Sequence, residues 1–187
     1  LCAMTHISNS LGTINPVATL ARECRKRGIP LLVDGSQAAP HLDIDLRALG
    51  CDFYALTGHK LFGPTGTGML WARRELLEAM PPFFGGGEMI REVHFEGTTF
   101  ADPPHRFEAG TPNIAGFAGL KVALDFLDEL GQEPVFAHER DLLAHLADAL
   151  ARLPGIRIFG QAASKVPVVS FLLDGAHAHD VATLLDH

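Results

Sequence analysis

Lys60 stands just past the apolar run Phe53-Tyr54-Ala55-Leu56, with glycines at 58, 63, 66 and 68 around it. The run has the length and aromatic content of a β-strand, and the glycines mark where that strand stops. In open α/β sheets, ligands collect just outside the carboxyl ends of strands. A lysine there, beside backbone made permissive by glycine, is placed to act as an amine nucleophile toward a carbonyl. Taken alone, a solvated lysine in a flexible loop is the commoner explanation. A second stretch changes the balance: Pro30-Leu31-Leu32-Val33-Asp34-Gly35-Ser36-Gln37-Ala38 is again an apolar strand that ends in a polar group. If the two strands are neighbours in a parallel sheet, Asp34 and Lys60 share one crevice. Pyridoxal phosphate uses this pair, a lysine for its aldehyde and a carboxylate to keep its ring nitrogen protonated. Asp34-Gly35 by itself is an ordinary turn dipeptide; its companion lysine is what favours a site.

The elements that must position these residues follow from the pattern. Leu1 to Thr5 reads as a strand, and the loop after it carries Asn9, either a turn former or an amide facing the same crevice. Asn15 and Pro16 predict an N-cap and a first-turn proline, followed by Val17, Leu20, Ala21 and Cys24 at helical spacing up to Gly28. Cys24 lies on the apolar face of that helix and Cys51 ahead of a strand, so both are expected in the core. Asp43 to Leu49 predicts a short helix capped by an aspartate, not a metal site. Gly63 to Gly68 matches neither nucleotide-binding glycine signature; its glycines instead let the backbone turn close to the lysine. A strand over Gly68–Ala72 and a helix over Arg74–Met80 come next. From Ala115 the character changes. Phe117, Leu120, Leu124, Leu127 and Leu130 form one stripe, and Leu142, Leu143, Leu146, Leu150 and Leu153 a second, both expected to be core. Ile156–Phe159 and Val166–Phe171 read as strands of a smaller domain. His177 and His179 read as a helix-start loop, since no third ligand has suitable spacing for a metal.

The 187 residues are 47% hydrophobic and 20% charged, a globular composition with room for a sizeable core. A formal net charge of −7 disfavours nucleic acid or an anionic membrane as partner. No apolar run approaches the roughly 18 residues of a membrane helix, and no signal-peptide pattern opens the chain. The three cysteines, Cys2, Cys24 and Cys51, lack disulfide or metal spacing, and a reduced cytoplasmic setting is expected. Both ends read as cut, so a central part of a longer chain is expected.

Three segments carry a resemblance: Asp34-Gly35-Ser36-Gln37, Gly58-His59-Lys60-Leu61-Phe62-Gly63-Pro64-Thr65-Gly66, and Arg106-Phe107-Glu108-Ala109-Gly110-Thr111-Pro112-Asn113. Together, and in this order, they resemble the class V aminotransferase family, and within it the group II cysteine desulfurase and selenocysteine lyase branch. The resemblance implies an α/β enzyme of the fold type I pyridoxal phosphate transferases. It would have a mixed, mostly parallel seven-stranded sheet with helices on both faces and a smaller α+β C-terminal domain, both incomplete here. Residues 1–115 would belong to the cofactor-binding large domain, and 116–187 to a connecting helix and the start of the small domain.

By the same resemblance, Lys60 is the catalytic lysine and Asp34 the partner of the ring nitrogen. Asn9 and Gln37 approach the cofactor's phenolic oxygen. Thr57, where the family more often has Ser, and His59 hold its phosphate. Gly110 and Thr111 contact the phosphate of the other subunit's cofactor, which implies a homodimer with shared active sites. Pro81 to Ile90 resembles the group II hook over a neighbouring site, though Glu88 stands where the family commonly has a small polar residue. The implied reaction removes sulfur from L-cysteine (or selenium from L-selenocysteine), leaves alanine, and passes sulfur to an acceptor protein for iron-sulfur cluster assembly. The persulfide-forming cysteine and the substrate-binding arginine match no residue of this chain, so the 187 residues alone are expected to be inactive. Two rivals stand beside this reading: another class V reaction (aminotransferase, epimerase or kynureninase-like lyase) and a noncatalytic scaffold with the same fold.

Overall fold

A computed structural model of the chain describes residues 1–187. Its centre is a four-stranded sheet of β1 (Cys2–Thr5), β2 (Leu31–Asp34), β3 (Phe53–Thr57) and β4 (Gly68–Ala72), in that spatial order. β1, β2 and β3 run parallel, and β4 returns antiparallel to β3. Parallel neighbours need a crossover. The first is α1 (Val17–Lys26), the second contains the short α2 (Leu46–Leu49), capped by Asp45, whose carboxylate accepts from the N–H groups of Arg47 and Ala48. Val17, Ala21 and Cys24 repeat at helical spacing, so one side of α1 is apolar and lies on the sheet. There it meets Leu31, Val33, Cys51 and Tyr54 in the main core. Leu31 and Val33 alternate onto the same face of β2, with Val33 directly opposite Tyr54. Cys24 and Cys51 are buried in this core as the sequence suggests.

The chain continues through α3 (Arg74–Ala79) into an antiparallel hairpin, β5 (Ile90–His94) and β6 (Gly97–Phe100), and then into α4 (Ile114–Leu130) and α5 (Gln132–Ala151). A second hairpin-like pair, β7 (Ile156–Phe159) and β8 (Ser170–Leu173), precedes α6 (Ala178–Leu185). His177 is the N-cap of α6 and accepts the His179 N–H, the helix-start role expected of this pair. The Thr13–Lys165 bridge and the Val166 N–H to Gly12 O bond (2.9 Å) tie this late segment back to the loop after β1.

Several sequence expectations are corrected. Helix α1 starts one residue later than expected, with Pro16 as N-cap; the Asn15 amide donates to Thr5 O instead of capping (2.8 Å). The strand expected over Val166–Phe171 forms over Ser170–Leu173, because Pro167 has no N–H to donate and Val166 bonds to Gly12. The hairpin β5–β6 was not anticipated; its β5 strand is exposed along its length and offers no core alternation to read. The leucine stripes lie on helices except for Leu153, which falls two residues past the end of α5, and α4 ends at Gly131 as expected. They are not core: Phe117, Leu124, Leu130, Leu142, Leu146 and Leu153 are exposed, and of the first stripe only Leu120 is buried. An apolar face becomes core only when a second layer covers it, and within these residues no layer lies over α4 and α5 there. Of the seven strands implied for the large sheet, this chain carries four, mixed and mostly parallel.

Candidate active site

The carboxyl ends of β1, β2 and β3 come to one edge. Thr5 pairs with Asp34 and Asp34 with Ala55, so three loops emerge side by side. Asp34 is exposed there; its Oδ1 accepts the Ser36 N–H at 2.9 Å, an Asx-type turn. The other carboxylate oxygen accepts no hydrogen bond from the chain. Gly35 follows because nothing else fits: a Cβ there would lie 2.0 Å from Cε1 of Tyr54.

Beneath Asp34 lies a pair that the sequence did not mark. His6, 6% exposed, accepts or donates through Nδ1 to the Tyr54 hydroxyl at 3.0 Å, and the rings meet edge to face. Burial lowers the His6 imidazole below its ordinary value of 6.5, so it is neutral near pH 7. Burial is also the main cause that pushes the Tyr54 phenol up, helped by the charges of Cys51 and Asp34, and the hydroxyl stays protonated. The pair is a rigid, uncharged floor for the loop that carries Asp34. Its one sequence signal is position, since His6 follows β1 just as Gly35 follows β2.

Lys60 sits half-buried in a 3-10 turn, Gly58–Leu61, directly after β3. The turn is held tightly. Gly58 N–H donates to Thr67 O (2.9 Å), and a Cβ on Gly58 would meet Thr67 Oγ1 at 2.1 Å. Thr67, also unmarked in the sequence, is buried and donates to Pro64 O at 2.7 Å. Thr57 Oγ1 and His59 Nδ1 lie 2.9 Å apart, and His59 is exposed. A hydroxyl and an imidazole, hydrogen-bonded to each other, thus stand three and one residues before the lysine, both of them groups able to donate to an anion.

The remaining candidates divide. Asn9, exposed, and Gln37, half-buried, sit on the loops leaving β1 and β2, beside the same edge. Gly110 and Thr111 do not join the cluster through any hydrogen bond: Gly110, at φ 81°, donates to Gly87 O, and Thr111 is exposed. Their loop ends where the Asn113 side chain caps α4 by accepting the Gly116 N–H. Arg106 stitches this region to α3 by donating to Ala101 O, Glu78 O and Met80 O. In the Pro81–Ile90 stretch, Phe83 and Phe84 are 87% and 69% exposed, and Glu88 takes a positive φ of 68°. No group of three metal-ligating side chains occurs, and no helix is long and apolar enough to cross a membrane.

This geometry suits pyridoxal phosphate. The free Asp34 oxygen fits a protonated ring nitrogen, the Thr57–His59 pair fits a phosphate, and Lys60 follows that pair directly on the same turn. Comparison with known proteins agrees. The sequence model of the aminotransferase class-V family matches residues 1–187. A probable cysteine desulfurase of Xylella fastidiosa is 62% identical over 186 residues, covering 100% of this chain and 45% of that relative. A cysteine desulfurase of Dickeya dadantii is 49% identical over 187 residues, again 100% and 45%. A crystal structure of a cysteine desulfurase from Escherichia coli matches with a TM-score of 0.93 at 41% identity, over 98% of this chain and 46% of that one. A C-DES mutant with glycine covalently linked to its PLP cofactor matches at TM-score 0.82 and 27% identity, over 98% and 50%. The chain therefore spans about 45% of the length of the curated relatives it matches.

Proposed function

This chain belongs to the class V aminotransferase family, and from that premise we propose that it forms the lysine-bearing part of a pyridoxal phosphate-dependent cysteine desulfurase. The observation that carries the proposal is the pairing of β2 with β3, which sets Asp34 and the Lys60 turn at one sheet edge. Pyridoxal phosphate, when bound, supplies an electron sink for a carbanion at the substrate's α-carbon. The chain's own residues have separate tasks. Lys60 would hold the cofactor through its side-chain amine and would carry the substrate's α-proton. The Asp34 carboxylate holds the ring nitrogen protonated. Thr57 and His59 bind the phosphate, and Asn9 and Gln37 orient the phenolic oxygen. Sulfur would leave as a persulfide on a cysteine outside these residues, pass to an acceptor protein and serve iron-sulfur cluster assembly, with alanine as the coproduct.

Several finer assignments belong to the same proposal. Residues 1–115 form part of the cofactor-binding domain, and 116–187 the connecting helix and the beginning of a smaller one. The enzyme works in the cytoplasm as a homodimer, with Gly110 and Thr111 reaching the partner's cofactor phosphate. L-selenocysteine would serve as an alternative substrate, since the same Lys60 chemistry releases selenium.

Borohydride reduction of the full-length protein loaded with pyridoxal phosphate, followed by peptide mass spectrometry, tests the core of this reading. The adduct is expected on Lys60 and absent from the Lys60→Ala protein. An adduct at Lys26, Lys121 or Lys165, or none, would refute it. An adduct on Lys60 without alanine release from L-cysteine would instead point to another class V reaction.

A further inference from the structure

We propose that Phe62 is a positioning residue for Lys60, locking the lysine-bearing turn against α4; this rests on the reading of Lys60 as the cofactor lysine. Phe62 follows Lys60 by two residues and closes the turn with a φ of 61°. That left-handed region suits glycine and is rare for a bulky aromatic residue. A non-glycine residue stays in it only where its surroundings over-determine it.

Two sets of contacts do so. On the backbone side, the N–H groups of Phe62 and Gly63 both donate to Gly58 O, the latter at 3.0 Å, so the segment holding Lys60 is pinned at both ends. On the side-chain side, the Phe62 ring, 68% exposed, meets Phe126 of α4 edge to face, with centroids 6.4 Å apart and planes at 79°. Earlier on the same helix, buried Leu120 presses on the turn. A Cβ on Gly63 would lie 2.7 Å from Leu120 Cδ1, and one on Gly58 would lie 3.3 Å from it. Leu120 therefore prevents the turn from moving toward α4, and Phe62 holds it from moving away. Without the ring contact, nothing on this side would hold the turn against α4, even with a residue at 62 that accepts the positive φ. Lys60, two residues upstream, would swing with it.

The measurements are the apparent affinity of the full-length protein for pyridoxal phosphate and the pH midpoint of the absorbance band of the lysine-linked cofactor. Phe62→Ala and Phe126→Ala are each expected to weaken cofactor affinity roughly fivefold or more, and the double variant no further than the worse single one, as for residues in contact. The band's pH midpoint moves in all three, a change that loss of global stability does not produce. Phe62→Tyr, which keeps the ring, restores both readouts. Phe62→Gly separates the two causes, because glycine accepts the positive φ but has no ring. A glycine variant as impaired as Phe62→Ala supports the proposal, and one matching the parent protein overturns it. If Phe62→Ala does not fold, Phe126→Leu, which keeps an apolar contact without the ring edge, reads the same coupling. A parent protein with no lysine-linked band overturns the reading of Lys60 itself, an outcome distinct from a normal band in Phe62→Gly.

Discussion

Asp34 carries its charge at a strand end with one oxygen occupied by a backbone N–H and the other free. Asp34→Asn preserves the turn acceptor and removes the charge. In the full-length protein it is expected to lower kcat/KM for L-cysteine by roughly 10²-fold or more, the scale of losing one preorganised electrostatic contact. Its thermal midpoint should barely change, because Asp34 is exposed. His6 makes a different prediction. Burial lowers its pKa in the folded state below 6.5, whereas the unfolded chain takes up that proton near about pH 6.5. Below that pH the unfolded state binds more protons, so stability rises with pH and falls on acidification. Urea midpoints at about pH 7.5 and about pH 5.5 should differ for the parent protein, and differ less for His6→Gln, which removes the titration. Equal slopes for the two would remove His6 from the account.

At the level of elements, the loop after β2 is shaped by a residue on β3. The Tyr54 ring fills the space where a Cβ at position 35 would stand, and Tyr54 cannot withdraw because it is 2% exposed and hydrogen-bonded to His6. Gly35→Ala is therefore expected to cost about 1–3 kcal/mol of stability, the usual penalty for overpacking a filled core. It should also displace Asp34, read as weaker pyridoxal phosphate binding alongside a lower denaturation midpoint. The same logic places Thr67, whose hydroxyl occupies the side-chain position of Gly58 on the turn that presents Lys60. The strands offer their ends to the site, and the glycines that follow them decide how close the loops approach.

As a whole molecule the chain is under-covered. It exposes 12458 Å², whereas a compact monomer of its 20.1 kDa would expose roughly 8700 Å². Only 22 of 187 residues are buried, and the hydrophobic clusters are small, seven residues beneath α1 and three at Ile7, Ala38 and Val166. A groove of about 1050 Å³ lined by Leu56, Met69, Leu70, Phe84, Phe117 and Leu124 accounts for part of the surplus. Apolar surface of that extent drives association. Expressed alone, the 187 residues should elute well above 20.1 kDa and bind a hydrophobic dye, while releasing no alanine from L-cysteine. A monodisperse monomer that ignores the dye would show that the exposed helix faces are harmless, and alanine release would show that these residues suffice for turnover.

Some of this was legible in the residues themselves. The runs Leu31–Asp34, Phe53–Leu56 and Gly68–Ala72, the stripe up to Gly131, and the polar residues ending two strands are local patterns, and local patterns survive folding because backbone geometry sets their period. The tertiary structure decided what lies beside and above them. It set Thr5, Asp34 and Ala55 in one row, brought His6 to Tyr54 across 48 residues, and placed Phe62 on Phe126. It also left much of the leucine faces of α4 and α5 exposed, with Leu120 the exception. Periodicity states which side of an element is apolar; only long-range packing determines whether anything covers that side.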